Sequence, residues 1–124
     1  MHGAVTEVLE VLEDYFDGLY DGDTEKLGRV YHERVRLFCA TDPDLLEMDL
    51  PSYLEAVKNR PSPASRQDPR HDRVVALEVP SPTTAHARVY CAYLPKVFTD
   101  DLTLVRSEGL WRIIAKVWHY DVTG

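Results

Sequence analysis

Residues 98–120 read FTDDLTLVRSEGLWRIIAKVWHY and contain the pattern that decides the fold. Apolar and polar residues alternate on both sides of Ser107, Glu108 and Gly109, which predicts two antiparallel strands joined by a tight turn. Requiring the apolar positions of the two arms to face each other sets the register, because a slip of one residue would turn every side chain over. The stretch therefore predicts a β-hairpin with a two-residue turn at Glu108 and Gly109.

This register places two titratable groups on the inner, apolar face of the hairpin. The expected inner pairs are Arg106 with Trp111, Leu104 with Ile113, Leu102 with Ala115, Asp100 with Val117, and Phe98 with His119. Asp100 and His119 are then diagonal neighbours, roughly 7 to 8 Å apart at the backbone. A carboxylate and an imidazole at this spacing can transfer protons, but a satisfied buried pair or two wet groups at a rim account for them equally well. Asp101 is expected on the outer face, in an ion pair with Lys116.

The rest of the chain predicts three helices and further strands in one α+β domain, residues 1–124. Apolar residues recur every three or four positions over residues 4–20, which is typical of an amphipathic helix. Gly22 suits the end of that helix, and Asp23 suits the start of a second helix that ends near His32. Pro51 begins a third helix over residues 51–59. A strand is expected over residues 35–39, and two more follow the Pro- and Ser-rich loop of residues 60–70.

Composition excludes several classes of function. A net charge of −7 disfavours nucleic acid and anionic lipid as partners and makes a neutral or cationic small molecule easier to bind. No apolar run is long enough to cross a bilayer, and the first residues lack the pattern of a signal peptide, so a cytoplasmic protein is expected. Cys39 and Cys91 are interpreted as buried free thiols. The spacing of the histidines favours no metal site. The lack of a glycine-rich phosphate loop and of a nucleophile elbow disfavours nucleotide binders and nucleophilic hydrolases, and no cofactor is expected.

Together, the order of elements and two stretches resemble the nuclear transport factor 2-like superfamily, and within it the lumazine-binding branch. The stretches are YFDGLYDGDTEKLGRVYHERVRL, residues 15–37, and FTDDLTLVRSEGLWRIIAKVWH, residues 98–119. The resemblance covers nearly the whole chain. It implies a cone-shaped, curved antiparallel sheet packed on three helices, with a pocket inside. It also implies a homodimer through the outer face of the sheet, where Ile114, Trp118 and Tyr120 are expected to form an apolar stripe.

In this resemblance, His32, Asp100 and His119 match positions where the branch places polar groups facing the cone, so they are the expected catalytic residues. Tyr15, Phe98 and Trp111 are expected to contact a ligand. Relatives of this fold include ketosteroid isomerase, dehydratases and cyclases, and a noncatalytic transport factor, so the fold alone does not decide the function. A cofactor-free acid–base enzyme acting on a small apolar or aromatic substrate is one hypothesis. A noncatalytic ligand-binding or dimeric interaction module is the other.

Overall fold

The computed structural model describes residues 2–123, which form three helices and one six-stranded sheet. The helices are α1 (His2–Asp21), α2 (Thr24–Val30) and α3 (Leu50–Lys58), and a short 3-10 turn spans Ala64–Arg66. The strands are β1 (Tyr31–Cys39), β2 (Leu46–Met48), β3 (Arg73–Ser81), β4 (Thr84–Tyr93), β5 (Lys96–Ser107) and β6 (Leu110–Val122). Their order in the sheet is β2-β1-β6-β5-β4-β3, and only β1 and β6 are parallel neighbours among the described strands. The predicted α+β fold, a curved sheet with three helices, is confirmed.

Local signals in the sequence set the ends of the helices. α1 stops before Gly22, whose φ of +66° is costly for residues with a side chain. The side chains of Asp23 and Asp49 each accept a main-chain hydrogen bond at 3.0 Å and so cap α2 and α3. The three predicted helices are confirmed, with one difference at α2. That helix ends at Val30 and β1 begins directly at Tyr31, four residues before the expected strand.

One core fills the space between the helices and the inner face of the sheet. Leu12 and Tyr15 of α1, Leu27 of α2 and Leu104 of β5 are all fully buried in this core. α1 and α2 pack closely because Gly18 has no side chain. A Cβ atom at this position would lie 2.9 Å from the side chain of Leu27.

A β-bulge in β6 changes which side chains face the core. Leu104 lies opposite Ile113, but the next pair is Thr103 with Ala115, so Ile114 is an extra residue in β6. A bulge of this kind shifts the alternation of the bulged strand by one position. Beyond it, Lys116 is 5% exposed and faces inward, whereas Val117 is 48% exposed and faces outward.

The predicted hairpin register is therefore right near the turn and wrong beyond the bulge. The pairs Arg106 with Trp111 and Leu104 with Ile113 are confirmed. The predicted pairs of Leu102, Asp100 and Phe98 are wrong, because the extra residue moves each partner by one. The observed pairs are Leu102 with Lys116, Asp100 with Trp118, and Phe98 with Tyr120.

Two predictions for the outer face of the sheet are also wrong because of the bulge. Asp101 is exposed, but its partner is Arg88 of β4 at 2.8 Å and not Lys116, which has turned inward. The stripe expected from Ile114, Trp118 and Tyr120 does not form, because the last two follow the bulge and point to the inner face. The apolar residues left on the outer face here are Ile114 itself, Val117, and Phe38 of β1, which pairs with Val117.

Candidate functional site

The buried carboxylate of Asp100, on the inner face of β5, is the centre of the candidate site. Asp100 is 1% exposed. The hydroxyl of Tyr15 on α1 donates a 2.5 Å hydrogen bond to its Oδ2, and the Cys91 thiol on β4 donates to the same oxygen at 3.4 Å. The other oxygen, Oδ1, is buried and has no hydrogen-bond partner among residues 2–123. A buried polar atom left unpaired costs about 1–3 kcal/mol, so a donor that reached Oδ1 would be stabilising.

Lys116 places a cation beside this carboxylate. Its Nζ lies 3.9 Å from Oδ2 of Asp100, which is an ion pair but too long for a hydrogen bond. Nζ donates a 3.2 Å hydrogen bond to the hydroxyl of Tyr53 on α3. It also lies 4.8, 5.1 and 5.2 Å from the ring centroids of Tyr53, Tyr15 and Trp118, where the electron-rich faces attract a cation. An ammonium has three N–H donors, so Lys116 keeps donors for a bound molecule.

Burial and nearby charges keep the side chains of Lys116, Tyr15 and Cys91 protonated. Burial by itself would lower the pKa of Lys116, but Tyr53 and the Asp100 carboxylate outweigh it and the pKa is raised, so the side chain is cationic at neutral pH. Burial, and then the charge of Asp100, raises the pKa of Tyr15 well above its usual 10.0. The same two causes raise the pKa of the Cys91 thiol well above 9.0. Tyr15 and Cys91 therefore act as neutral donors, and Cys91 is not a thiolate nucleophile.

These pKa directions predict that the fold loses stability at alkaline pH. Tyr15, Cys91 and Lys116 all hold their protons more tightly in the folded protein than in the unfolded chain. Their contribution is therefore complete below the unfolded pKa values and is lost as the pH rises toward the folded ones. We expect the free energy of unfolding to fall above about pH 9, by up to about 1.4 kcal/mol per pH unit for each group.

Denaturant melts between about pH 7 and pH 11 measure this fall. Tyr15→Phe removes one of the titrating groups, so its stability should decline less steeply than that of the wild type. A free energy of unfolding that stays level across this range would contradict the buried, protonated state of the three groups.

Asp100 and Lys116 line a small cavity inside the cone. Its volume is about 60 Å³. Most of the wall is apolar or aromatic, with Leu19, Pro63, Tyr93, Phe98 and Trp118 as the main contributors. The charged residues in the wall are Arg60, Asp100 and Lys116. The cavity thus combines apolar walls with a few convergent polar groups, which is typical of a site for a small molecule.

Of the three predicted catalytic residues, only Asp100 lies at this cavity. The side chain of His119 is 57% exposed on the outer face, where its ring contacts Thr41 and Asp121 at 3.1 Å. The expectation that Asp100 and His119 are inner neighbours is wrong, because the bulge turns His119 outward. His32 is half-buried near the start of β1, and its Nδ1 accepts a 3.0 Å hydrogen bond from the main chain of Arg34. It is not among the residues that line the cavity.

The three predicted ligand contacts are also separated. Phe98 lines the cavity, and Tyr15 is fully buried next to it through its hydrogen bond to Asp100. Trp111 is buried near the hairpin turn, where it shares a groove with Ala4 and Val5 at the start of α1. The structure thus places Tyr15 and Phe98 at the candidate site, but not Trp111.

Lys116, Tyr53 and Arg60 are not identified as site residues from the sequence. Lys116 is expected on the outer face because nothing in the apolar run around Ile114 reveals the extra residue. Tyr53 does not stand out among the seven tyrosines of the chain, and Arg60 falls at the start of the loop of residues 60–70. A weak signal does exist, since a strictly alternating strand would place Trp118 in water and His119 in the core.

Two further observations concern the residues that the structure describes. No three or more His, Cys, Asp or Glu side chains among them are grouped so that they could hold a metal ion. No helix within residues 2–123 has the length and apolar character needed to span a membrane.

A comparison with models of protein families shows which family the chain belongs to. A family model described as "Putative lumazine-binding" matches residues 4–119. The chain belongs to this family. The resemblance noted from the sequence is thereby confirmed. A comparison with curated proteins gave no match.

Solved structures similar to this lumazine-binding family member share its fold. A nuclear transport factor 2-like protein of unknown function from Silicibacter pomeroyi has a TM-score of 0.85 at 18% identity, over 96% of this chain and 97% of that chain. One from Shewanella baltica has a TM-score of 0.85 at 20% identity, over 98% and 96% of the two chains. A ketosteroid isomerase-like protein from Erwinia carotovora atroseptica has a TM-score of 0.71 at 10% identity, over 93% and 94%. At these identities the similarity establishes the fold and not the function.

Proposed function

We propose that the protein binds a small, largely apolar or aromatic molecule in the inner cavity and acts on it as a cofactor-free acid–base enzyme. The observation that carries this proposal is the position of Asp100. Its carboxylate is buried, lines a largely apolar cavity, has one oxygen without a partner among residues 2–123, and lies 3.9 Å from a lysine ammonium. Titratable groups held in this way cluster at functional sites, because burial and a charged neighbour tune proton transfer.

The chemistry follows from the two charged groups. Asp100, in its carboxylate form, takes a proton from a carbon next to a carbonyl group of the substrate. The electron pair of the broken C–H bond then moves toward the carbonyl oxygen, and the ammonium of Lys116 stabilises the resulting oxyanion. Returning the proton to another carbon completes an isomerisation. For a dehydration, Asp100 gives the proton to a hydroxyl group on the next carbon, which leaves as water while the double bond forms. For a ring closure, the carbanion attacks a second carbonyl, and the proton from Asp100 neutralises the alkoxide that results.

Ligand binding in this cavity requires the fold to open. A cavity of about 60 Å³ holds a few water molecules, whereas a protein cavity that binds benzene has about 150 Å³. The side expected to move is the loop of residues 59–72, which contributes Arg60 and Pro63 to the wall. Loops have fewer buried contacts than the sheet and open at lower cost.

A noncatalytic binding role is the second candidate. The hydrogen bonds and the ion pair that fix Asp100 also balance its charge without any substrate. The same groups would then only orient a ligand by hydrogen bonds. Binding without proton exchange would distinguish this role from catalysis.

We also propose that the protein forms a homodimer through the outer face of the sheet. Val117 is 48% exposed there. It lies next to Phe38 of β1, with which it is paired in the sheet, and is close in sequence to Ile114. An apolar surface of this kind is covered in many oligomers. A cytoplasmic location is our further proposal, because the free, buried thiols of Cys39 and Cys91 suit a reducing compartment.

Native mass spectrometry tests binding and assembly together. We expect the protein, incubated with a library of aromatic and cyclic carbonyl compounds, to have the mass of a dimer and to retain some of these compounds. Phe98→Ala removes a wall of the cavity and should weaken retention. Phe38→Ala makes the same change on the outer face and should leave retention unchanged. No retained compound, or equal retention by both variants, would contradict the proposed site, and a monomer mass would contradict the dimer.

A further inference from the structure

The positive and negative charges in the wall of the cavity do not cancel. Lys116 and Arg60 are cations, and Asp100 is the single acid among the lining residues that the structure describes. The local sum of these three groups is one positive charge, although the chain as a whole carries −7. Solvent-exposed charges more than about 8–10 Å away are largely screened at physiological salt, so the groups in the wall act most strongly on a bound ligand. The expectation of a neutral or cationic ligand rests on the net charge and does not hold inside the cavity.

Arg60 supplies the charge that is not balanced. Lys116 has Asp100 as its counter-ion, but no ion pair among residues 2–123 includes Arg60. Arg60 is a half-buried residue, and its guanidinium lies 4.2 Å from the centroid of the Tyr93 ring. Stacking on an aromatic face holds a guanidinium in place while its N–H groups stay free to donate at the edges.

Arg66, in the same loop, is an arginine whose charge is paired with a carboxylate. Its guanidinium lies 4.4 Å from the same Tyr93 ring. However, Arg66 is paired with Asp68 at 2.7 Å and is not among the residues that line the cavity. Two arginines therefore contact the same aromatic ring, and Arg60, the one that lines the cavity, has no carboxylate partner among residues 2–123.

We propose that the ligand of this cavity is an amphipathic organic acid whose carboxylate pairs with Arg60. This inference rests on the proposed function and names the class of molecule that the site takes. The planar fork of a guanidinium matches the two oxygens of a carboxylate and can bind both. The apolar body of the ligand lies against Phe98 and Trp118. A carbonyl group on that body reaches Lys116 and Asp100, so the acid group binds from the loop side and the reacting group from the sheet side.

Phenylacetate and its neutral counterpart phenylacetamide test the proposal, with dissociation constants measured by calorimetry or ligand-observed NMR. The two probes have nearly the same shape and differ in charge. We expect the wild type to bind phenylacetate about tenfold more tightly, which is the size of a charged hydrogen-bonded pair, and added salt to reduce the difference. In Arg60→Gln the preference should disappear while binding of the amide persists. Arg60→Lys, which keeps the charge and loses the fork, should retain part of the preference.

Arg66→Gln is the matched control, because it removes an arginine from the same ring without changing the wall of the cavity. We expect it to keep the preference for the acid, with a thermal melt confirming that each variant is folded. Equal binding of acid and amide by the wild type would overturn this inference and leave the proposed function standing. If neither probe binds but neutral carbonyl compounds are retained in native mass spectrometry, the proposed carboxylate site is wrong and the proposed function stands. If no compound binds in either experiment, both proposals fail.

Discussion

Replacing Lys116 by methionine is expected to destabilise the protein by about 3–5 kcal/mol, because it removes one partner of a buried ion pair. The Asp100 carboxylate would keep its hydrogen bonds from Tyr15 and Cys91 but lose the only cation within 4 Å among the described residues. A charge left alone in a core at 1% exposure cannot be solvated by water. Denaturant melts at neutral pH measure the loss.

The double variant separates the ion pair from simple packing. Asp100→Leu alone should also destabilise, because it leaves the ammonium of Lys116 buried without its counter-ion. Asp100→Leu with Lys116→Met should be more stable than either single variant, because replacing both ions by apolar groups removes the unpaired charge. Lys58→Met, on the exposed side of α3, is the control and should change stability by no more than about 0.5 kcal/mol. A Lys116→Met variant as mild as this control would show that Lys116 is not in the core.

The helices are predictable from the sequence because their signals are local. The apolar spacing of α1, Gly22 at its end, the cap Asp23 of α2 and Pro51 at the start of α3 act over a few residues, so each can be identified without knowing the rest of the fold. The facing of β5 is also clear, since Phe98, Leu102 and Leu104 alternate with Thr99, Asp101 and Thr103. The sequence therefore places Asp100 on the inner face, and the structure adds that it is buried there.

The orientation of β6 is not predictable in the same way. Residues Ile113, Ile114 and Ala115 are all apolar, so any of them can face the core, and the sequence does not reveal which is the extra one. One inserted residue exchanges the roles of Lys116 and His119. Lysine is also among the residues that are rarely buried, which makes the exposed position the natural interpretation. The cavity further depends on Tyr53, on α3, and Arg60, in the following loop, which only the tertiary structure brings to the sheet.

Replacing Asp100 by asparagine is expected to reduce proton transfer by about 10²- to 10⁴-fold, the usual contribution of a positioned acid or base. Asparagine keeps the shape of the side chain and can still accept the hydrogen bond from Tyr15. It cannot take up a proton, and it also removes the counter-ion of Lys116, so a lower melting temperature is expected together with the loss of proton transfer. Asp101→Asn is the matched control, because Asp101 is the next residue on the same strand but points outward to Arg88. That variant should retain the full rate, and both variants should remain folded in thermal melts.

The most direct measurement is the rate at which the protein exchanges carbon-bound hydrogen for deuterium in D₂O. The probes are aromatic and cyclic ketones, with and without a carboxylate group, and proton NMR follows the loss of the signal next to the carbonyl. We expect the wild type and Asp101→Asn to accelerate exchange of at least one probe above the buffer rate, and Asp100→Asn not to do so. Exchange that is equally fast with Asp100→Asn, or no acceleration by the wild type on any probe, would contradict acid–base catalysis at Asp100.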